Sequence, residues 1–271
     1  MRSRIQPAVA LALVGVVVGI PLWLVIVTSA KSQGDALNPS LALPTDGWHF
    51  AQNYARAFTE GRVVMAFLGS ASIVVPAVVL VLLFGAMAAW VLARRTSIWL
   101  SAVYAVAISG IVIPPAVITL VLLLRQLGLA GTLGGMVLVY VGIYLSTAIF
   151  FITGFIRTIP HQLEEAARVD GAGPVRIFFT IVLPLLRPVL ATATILICLY
   201  IWNDVFFAFF VIGGRMDTLP LNLFQVASAS VYLNNWNLIF AYVVLMSIPL
   251  LVVFVIAQRR IIAGITGGAV K

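Results

Sequence analysis

Residues 63–93 read VVMAFLGSASIVVPAVVLVLLFGAMAAWVLA, an uninterrupted run with no charged side chain between Arg62 and Arg94. A helix needs about 20 mostly apolar residues to cross a bilayer. This stretch is longer than that. A charge at the centre of such a helix costs roughly 2.5–3.5 kcal/mol on insertion scales, so the flanking arginines mark its ends. A soluble core explains the run poorly, because the whole chain is 63% hydrophobic and only 9% charged. A soluble domain carries about 25% charged residues to cover its surface.

The same pattern recurs on both sides. No charge occurs between Arg4 and Lys31, Arg95 and Arg125, Arg125 and Arg157, Arg187 and Asp204, or Asp217 and Arg259. The expectation is an all-α polytopic membrane protein, one domain over residues 1–271, with six transmembrane helices at about 8–30, 63–93, 98–124, 134–156, 188–212 and 238–258. The first apolar run exceeds the 7–15 residues of a signal-peptide core and is read as a retained anchor. Pro76, Pro114, Pro115 and Pro249 fall inside these spans. In a bundle they kink helices, either as fixed bends or as hinges for alternating access. No inverted repeat of a secondary transporter and no filter motif of a channel is evident.

Orientation follows from Lys and Arg. With the N-terminus inside, the inner segments hold Arg2, Arg4, Arg94, Arg95, Arg157, Arg168, Arg176, Arg187, Arg259, Arg260 and Lys271, and the outer ones hold Lys31, Arg56, Arg62, Arg125 and Arg215. Both termini are expected in the cytoplasm. External loops then cover 31–62 and 213–237, a cytoplasmic loop covers 157–188, and a cytoplasmic tail covers 259–271. The net charge of +8 is spread over short loops, which fits membrane orientation and not nucleic-acid binding. Trp48–Glu60 is expected to form a short interfacial helix anchored by Trp48 and Tyr54. His49 reads as a solvated polar residue, and the single cysteine, Cys198, as a buried apolar filler without disulfide or metal. Two histidines, one cysteine and eight acids form no catalytic constellation, and no metal site is expected.

The segment Arg157–Pro188, RTIPHQLEEAARVDGAGPVRIFFTIVLPLLRP, is the most structured of the loops. Pro160 suits the first position of a helix. Helix formers run from Gln162 to Arg168, and Gly171 suits the left-handed position after the helix end. Glu164 and Glu165 sit in early turns, where carboxylates favour the helix dipole. Ala166 and Ala167 leave one face thin, and Leu163 and Val169 add apolar contact. A second helix is expected from Gly173–Pro174 towards Pro184. The whole is a helix–Gly–helix knuckle suited to docking another protein, with a solvated connector as the bland alternative.

Glu165, Ala166, Ala167, Gly171, Ile181, Leu183 and Pro184 also match the pattern E-A-A-(x)3-G-(x)9-I-x-L-P in order and spacing. By this the chain resembles the permease subunits of bacterial ATP-binding-cassette importers. Trp202–Phe210 (WNDVFFAFF), the ending Gln258–Lys271 (QRRIIAGITGGAVK), Pro114, Leu127–Gly128–Leu129 with Thr132, and Thr218–Pro220 are similar to the carbohydrate-uptake, maltose-type branch. His161 departs from that branch, which often has lysine there.

The resemblance implies a type I importer permease fold. It also implies a second homologous permease, two cytoplasmic ATPase subunits, an extracytoplasmic solute-binding protein and a bacterial cell membrane. The expected function is half of the pathway of an ATP-driven di- or oligosaccharide importer. Glu164, Glu165, Ala166, Ala167, Asp170 and Gly171 would couple to the ATPase, with Glu165 facing a basic residue there. Arg259, Arg260 and Lys271 would reach the same interface, and loop 213–237 would touch the binding protein. ATP and Mg would be held by the ATPase partner, since the chain has no phosphate-binding G-x-x-x-x-G-K-[ST] loop and no cofactor of its own.

Asp204 is the one acid inside an expected span. Together with Trp202 and Asn203 it reads either as a pathway group or as a helix-packing group, and the resemblance favours packing. The aromatic residues Tyr200, Trp202, Phe206, Phe207, Phe209 and Phe210 could stack on sugar faces, although packing is the commoner use. Import of a polyol or glycerophosphate-type solute is the alternative within transport. A scaffold or sensor that recruits a cytoplasmic protein is the alternative from another class.

Overall fold

The computed structural model describes residues 2–59, 61–233 and 235–269, and at 2–6, 8, 229–233 and 256–269 the backbone only. In chain order the helices are α1 (Arg2–Val14), a π-turn at Gly15–Gly19, α2 (Ile20–Ser29), α3 (Phe50–Thr59), α4 (Val63–Arg94), α5 (Ile98–Val112), α6 (Val117–Gln126) and α7 (Leu133–Ile156). They continue with α8 (Gln162–Val169), α9 (Pro174–Ile177), a π-turn at Phe178–Val182, α10 (Leu183–Leu185), α11 (Arg187–Trp202), α12 (Phe206–Ile212), α13 (Leu219–Leu233) and α14 (Trp236–Ala269). Among the described residues the fold is all-α.

Among the described residues, four helical stretches are long and apolar enough to cross a membrane: Val9–Ser29, Val63–Arg94, Leu133–Ile156 and Trp236–Val255. The count rises to six if two bent pairs each make one crossing. The first pair is α5 and α6, which meet at 112°. Pro114 and Pro115 cause this break. They remove two backbone donors, and the residue before a proline is pushed out of the helical region. Ile113 accordingly sits at φ −80°, ψ 116°. The expected kink inside one helix over 98–124 is thus a full turn between two helices. Pro76 and Pro249, by contrast, lie inside the unbroken α4 and α14. The second bent pair joins Pro174–Leu185 to α11 at 74°.

Two compact units make up the chain. The first comprises residues 1–69 and 217–251. Its buried residues include polar side chains, among them Lys31, Asn53 and Asn237. Asn53 of α3 donates from Nδ2 to the carbonyls of Ser29 (2.9 Å) and Lys31 (2.8 Å), and its Oδ1 accepts from Asn237 Nδ2 at 2.8 Å. Lys31 is buried, and its ammonium donates to the carbonyl and hydroxyl oxygens of Ser40, each at 3.0 Å. These bonds answer the rule that buried polar groups are paired, and they pin the 31–49 loop to α3 and α14. Of the stretch expected as a short helix at 48–60, residues 50–59 are helical as α3; Trp48 lies before it, and the Tyr54 and Ser29 hydroxyls share a hydrogen bond at 3.1 Å.

In the stretch expected as the external loop 213–237, residues 219–233 are helical. Thr218 starts this helix, its carbonyl accepting from Asn222 N at 2.8 Å, and Pro220 fits the first turn, where no donor is required.

The second unit comprises residues 70–216 and 252–271. Helix α7 runs through its middle, and Thr132 caps it by accepting from Gly135 N at 3.0 Å. One stripe of α7 is buried: Met136, Tyr140, Ile149, Ile152 and Ile156 recur at helical spacing. Small residues let neighbours approach it closely, as is usual between helices in lipid. A Cβ on Gly85 of α4 would lie 2.8 Å from Ala148 Cβ, and one on Gly110 of α5 would collide with the Ser146 hydroxyl. Outward faces are apolar instead. Ile98, Trp99, Val112 and Ile118 are all at least three-quarters exposed, as surfaces facing lipid or another subunit must be.

Candidate functional site

The knuckle at 157–188 forms as its sequence suggests. Helix α8 ends at Val169, and Gly171 adopts φ +78°, a conformation that costs a residue with a Cβ roughly 1–2 kcal/mol. Two bonds close the end: Gly171 N to Arg168 O at 3.0 Å and Ala172 N to Ala167 O at 2.9 Å. That is the Schellman arrangement, and it turns the chain into α9 within three residues. Pro160 lies one residue before the N-cap His161, and so outside the helix.

Its side chains sort into two faces. Glu165, Ala166, Asp170 and Gly171 are exposed, together with Leu163 (45%), Val169 (88%) and Val175 (70%). The outer face therefore joins two carboxylates to an apolar tip. Ala167 and Glu164 turn inward. Glu164 thereby departs from the expectation that it faces outward with Glu165. Its Oε1 accepts from Arg94 Nε at 2.7 Å and its Oε2 from Trp90 Nε1 at 3.0 Å. Arg94 also donates from Nη2 to the Ile159 carbonyl at 3.0 Å. Arg168, one turn along α8, lies 3.8 Å from the same carboxylate but is half-exposed. Arg94 and Trp90 escaped the sequence reading because they look like the ordinary end of a span. Their spacing of four residues, which places them on one face, was the available signal.

A second constellation surrounds the break between α11 and α12. The expected single helix over 188–212 stops at Trp202 and restarts at Phe206. Asp204 causes the restart, accepting from Phe207 N at 3.3 Å and Ala208 N at 3.0 Å as a helix cap. Its Oδ2 also accepts from the Tyr140 hydroxyl at 2.8 Å, which ties α12 to α7. Asn203 donates to the Leu199 carbonyl at 2.8 Å and is exposed, while Trp202 is buried. The rings of Tyr144 and Tyr200 stack at 5.9 Å and 5°, and Tyr140 and Tyr144 stand 6.2 Å apart. Tyr200 is half-exposed. Tyr140 and Tyr144 could not be joined to Asp204 from sequence, because 60 or more residues separate them.

Arg259 and Arg260 lie in α14, but their side chains, like the whole of Lys271, are outside the described residues. No group of three or more His, Cys, Asp or Glu side chains able to hold a metal occurs among the described residues.

The fold is that of a multi-pass helical membrane protein with an exposed helix–Gly–helix knuckle. Residues 81–267 match the family of binding-protein-dependent transport system inner membrane components, and the chain belongs to that family. It is 36% identical to the diacetylchitobiose uptake system permease protein NgcG of Streptomyces coelicolor over 96% of this chain and 87% of that protein. It is likewise 36% identical to the melibiose/raffinose/stachyose import permease protein MelC of Bacillus subtilis, covering 93% and 91%. The fold is similar to a chain in the crystal structure of a bacterial ABC transporter for the acidic polysaccharide alginate. The TM-score is 0.78 at 23% identity, covering 94% of this chain and 95% of that one. This protein is accordingly a permease subunit and not an enzyme in its own right.

Proposed function

We propose that the chain forms half of the translocation pathway of an ATP-driven importer of di- or oligosaccharides. It works in a bacterial cell membrane with both termini and the 157–188 knuckle in the cytoplasm. The assembly comprises a second homologous permease, two ATPase subunits that hold ATP and Mg, and an extracytoplasmic solute-binding protein that meets the 213–237 segment. Sugar as the cargo class rests on the relatives, whose names specify diacetylchitobiose and melibiose, raffinose or stachyose. The Tyr140–Tyr144–Tyr200 array beside Asn203 and Asp204 is suited to it, because aromatic faces take the apolar C–H faces of pyranoses while amide and carboxylate groups take hydroxyls.

One observation carries the coupling role: the knuckle exposes Leu163 and Val169 of α8 and Val175 of α9 together with the carboxylates of Glu165 and Asp170. An apolar knob with an acidic rim fits a groove edged by basic side chains, where Glu165 gains a charge-assisted bond. The tail residues Arg259, Arg260 and Lys271 would lie against the same partner. The test is Glu165→Lys in the co-expressed complex. The ATPase should fall away on purification and ATP-dependent uptake into vesicles should cease. Wild-type levels of both would rule out the docking role.

A further inference from the structure

Glu164 is the neighbour of the docking glutamate, yet its side chain is only 3% exposed and that of Arg94 only 7%. An exposed knuckle has no need of a buried ion pair for solubility. Stability also explains it poorly, since a buried pair often gives no more than a well-packed apolar pair would. What a buried, fully hydrogen-bonded pair does supply is a fixed geometry between two elements.

The bonds specify which elements. Trp90 and Arg94 stand one turn apart at the end of α4. Arg94 holds the Glu164 carboxylate and, through Nη2, the Ile159 carbonyl just ahead of α8. Trp90 holds the other carboxylate oxygen, and its ring packs 5.7 Å from that of Phe178, which follows α9. Entry, helix and exit of the knuckle are thus all fastened to two residues of one long helix. Ile177, Phe178, Val182 and Leu186 are buried on the exit side, so this arm is packed as well as bonded.

We propose that Trp90, Arg94 and Glu164 form a mechanical link that makes α8 and the end of α4 move as one body, so that displacement of the knuckle is passed into a span. The proposal rests on the docking role of the opposite face of α8, and it makes Glu164 a positioning residue with no contact to the ATPase. Two adjacent glutamates then divide the labour: Glu165 meets the motor and Glu164 transmits its motion. Without the link, a push on the eight-residue α8, too short to be stable alone, would tilt or fray it.

The experiment uses the complete importer reconstituted in proteoliposomes, carrying Glu164→Gln, Trp90→Phe or Arg94→Lys. Sugar moved per ATP hydrolysed is the functional readout, and amide exchange across residues 162–172 in the same complex is the physical one. Glu164→Gln should keep the ATPase bound, speed exchange of the α8 amides, and lower the transport ratio by about tenfold or more, the scale expected for breaking a buried charged pair. Trp90→Phe, which keeps the ring packing and removes one bond, should fall between that variant and wild type. Arg94→Lys keeps the charge but loses the fork that reaches both Glu164 and Ile159, and should uncouple partially.

An unchanged transport ratio or unchanged exchange in Glu164→Gln overturns the link. So does loss of the ATPase from that variant, which would make Glu164 part of the docking face. Glu165→Lys, run in parallel, separates the two ideas. If it retains the ATPase while Glu164→Gln uncouples, the docking role fails and the link stands.

Discussion

Replacing Asp204 by alanine should destabilise the α7–α12 packing by an amount that Tyr140 determines. Three bonds end on this carboxylate: the Tyr140 hydroxyl at 2.8 Å, Ala208 N at 3.0 Å and Phe207 N at 3.3 Å. Loss of the helix-capping pair costs about 1 kcal/mol. The Tyr140 hydroxyl belongs to a side chain that is 2% exposed, so it is left without its acceptor, at about 1–3 kcal/mol. The sum is about 2–4 kcal/mol.

Hydrogen bonds between helices in membranes average only about 0.6 kcal/mol and reach about 1.7 in double-mutant cycles. A carboxylate acceptor belongs near the upper end. The pairwise coupling between Asp204 and Tyr140 should therefore be about 1–2 kcal/mol. The assay is a double-mutant cycle of Asp204→Ala and Tyr140→Phe, followed by unfolding in mixed detergent micelles. Asp204→Asn should cost least, because one oxygen can still accept from both Tyr140 and Ala208. Equal costs for Asp204→Ala in the wild-type and Tyr140→Phe backgrounds would refute the α7–α12 tie. Uptake measured on the same four proteins then separates packing from cargo contact. A pathway role requires loss of transport in Asp204→Asn at nearly wild-type stability.

At Gly171, open space surrounds the position where a Cβ would sit, so substitutions act through the backbone alone. Gly171→Asn should be tolerated and Gly171→Ala should cost about 1–2 kcal/mol at φ +78°. Gly171→Val should cost more, with ATPase co-purification falling in the same order. Asp35 is held below its ordinary value of 3.8, first by the Thr45 hydroxyl and then by the Thr45 amide. A depressed carboxyl contributes stability that is present above its unfolded value and lost as pH falls through the folded one. Limited proteolysis of residues 32–46 should therefore be slow at neutral pH and accelerate below about pH 4, a step that Asp35→Asn should abolish.

Much was legible in the chain itself, and for definite reasons. Hydrocarbon excludes charge, so the gaps between charges marked the helices, and the four long spans fall where those gaps lie. Backbone requirements at Gly171, and the run from Gln162, put α8 and its end within one or two residues of their observed places. Proline chemistry marked residues 114–115 as irregular, but the expected kink within one span is in fact a break between two helices. Which of the two forms depends on whether neighbours can satisfy the freed carbonyls.

What the tertiary structure alone decided is which face of each helix turns inward. Side chains at 164 and 165 are chemically identical, and sequence assigned both to the partner. Only the arrival of Arg94 and Trp90, some 70 residues earlier in the chain, made one of them a buried internal bond and left the other free. Tyr140 reached Asp204 in the same way, across 64 residues. Local pattern specifies which segments become helices because helix bonds close within four residues, while pairing between helices depends on packing that no local pattern contains.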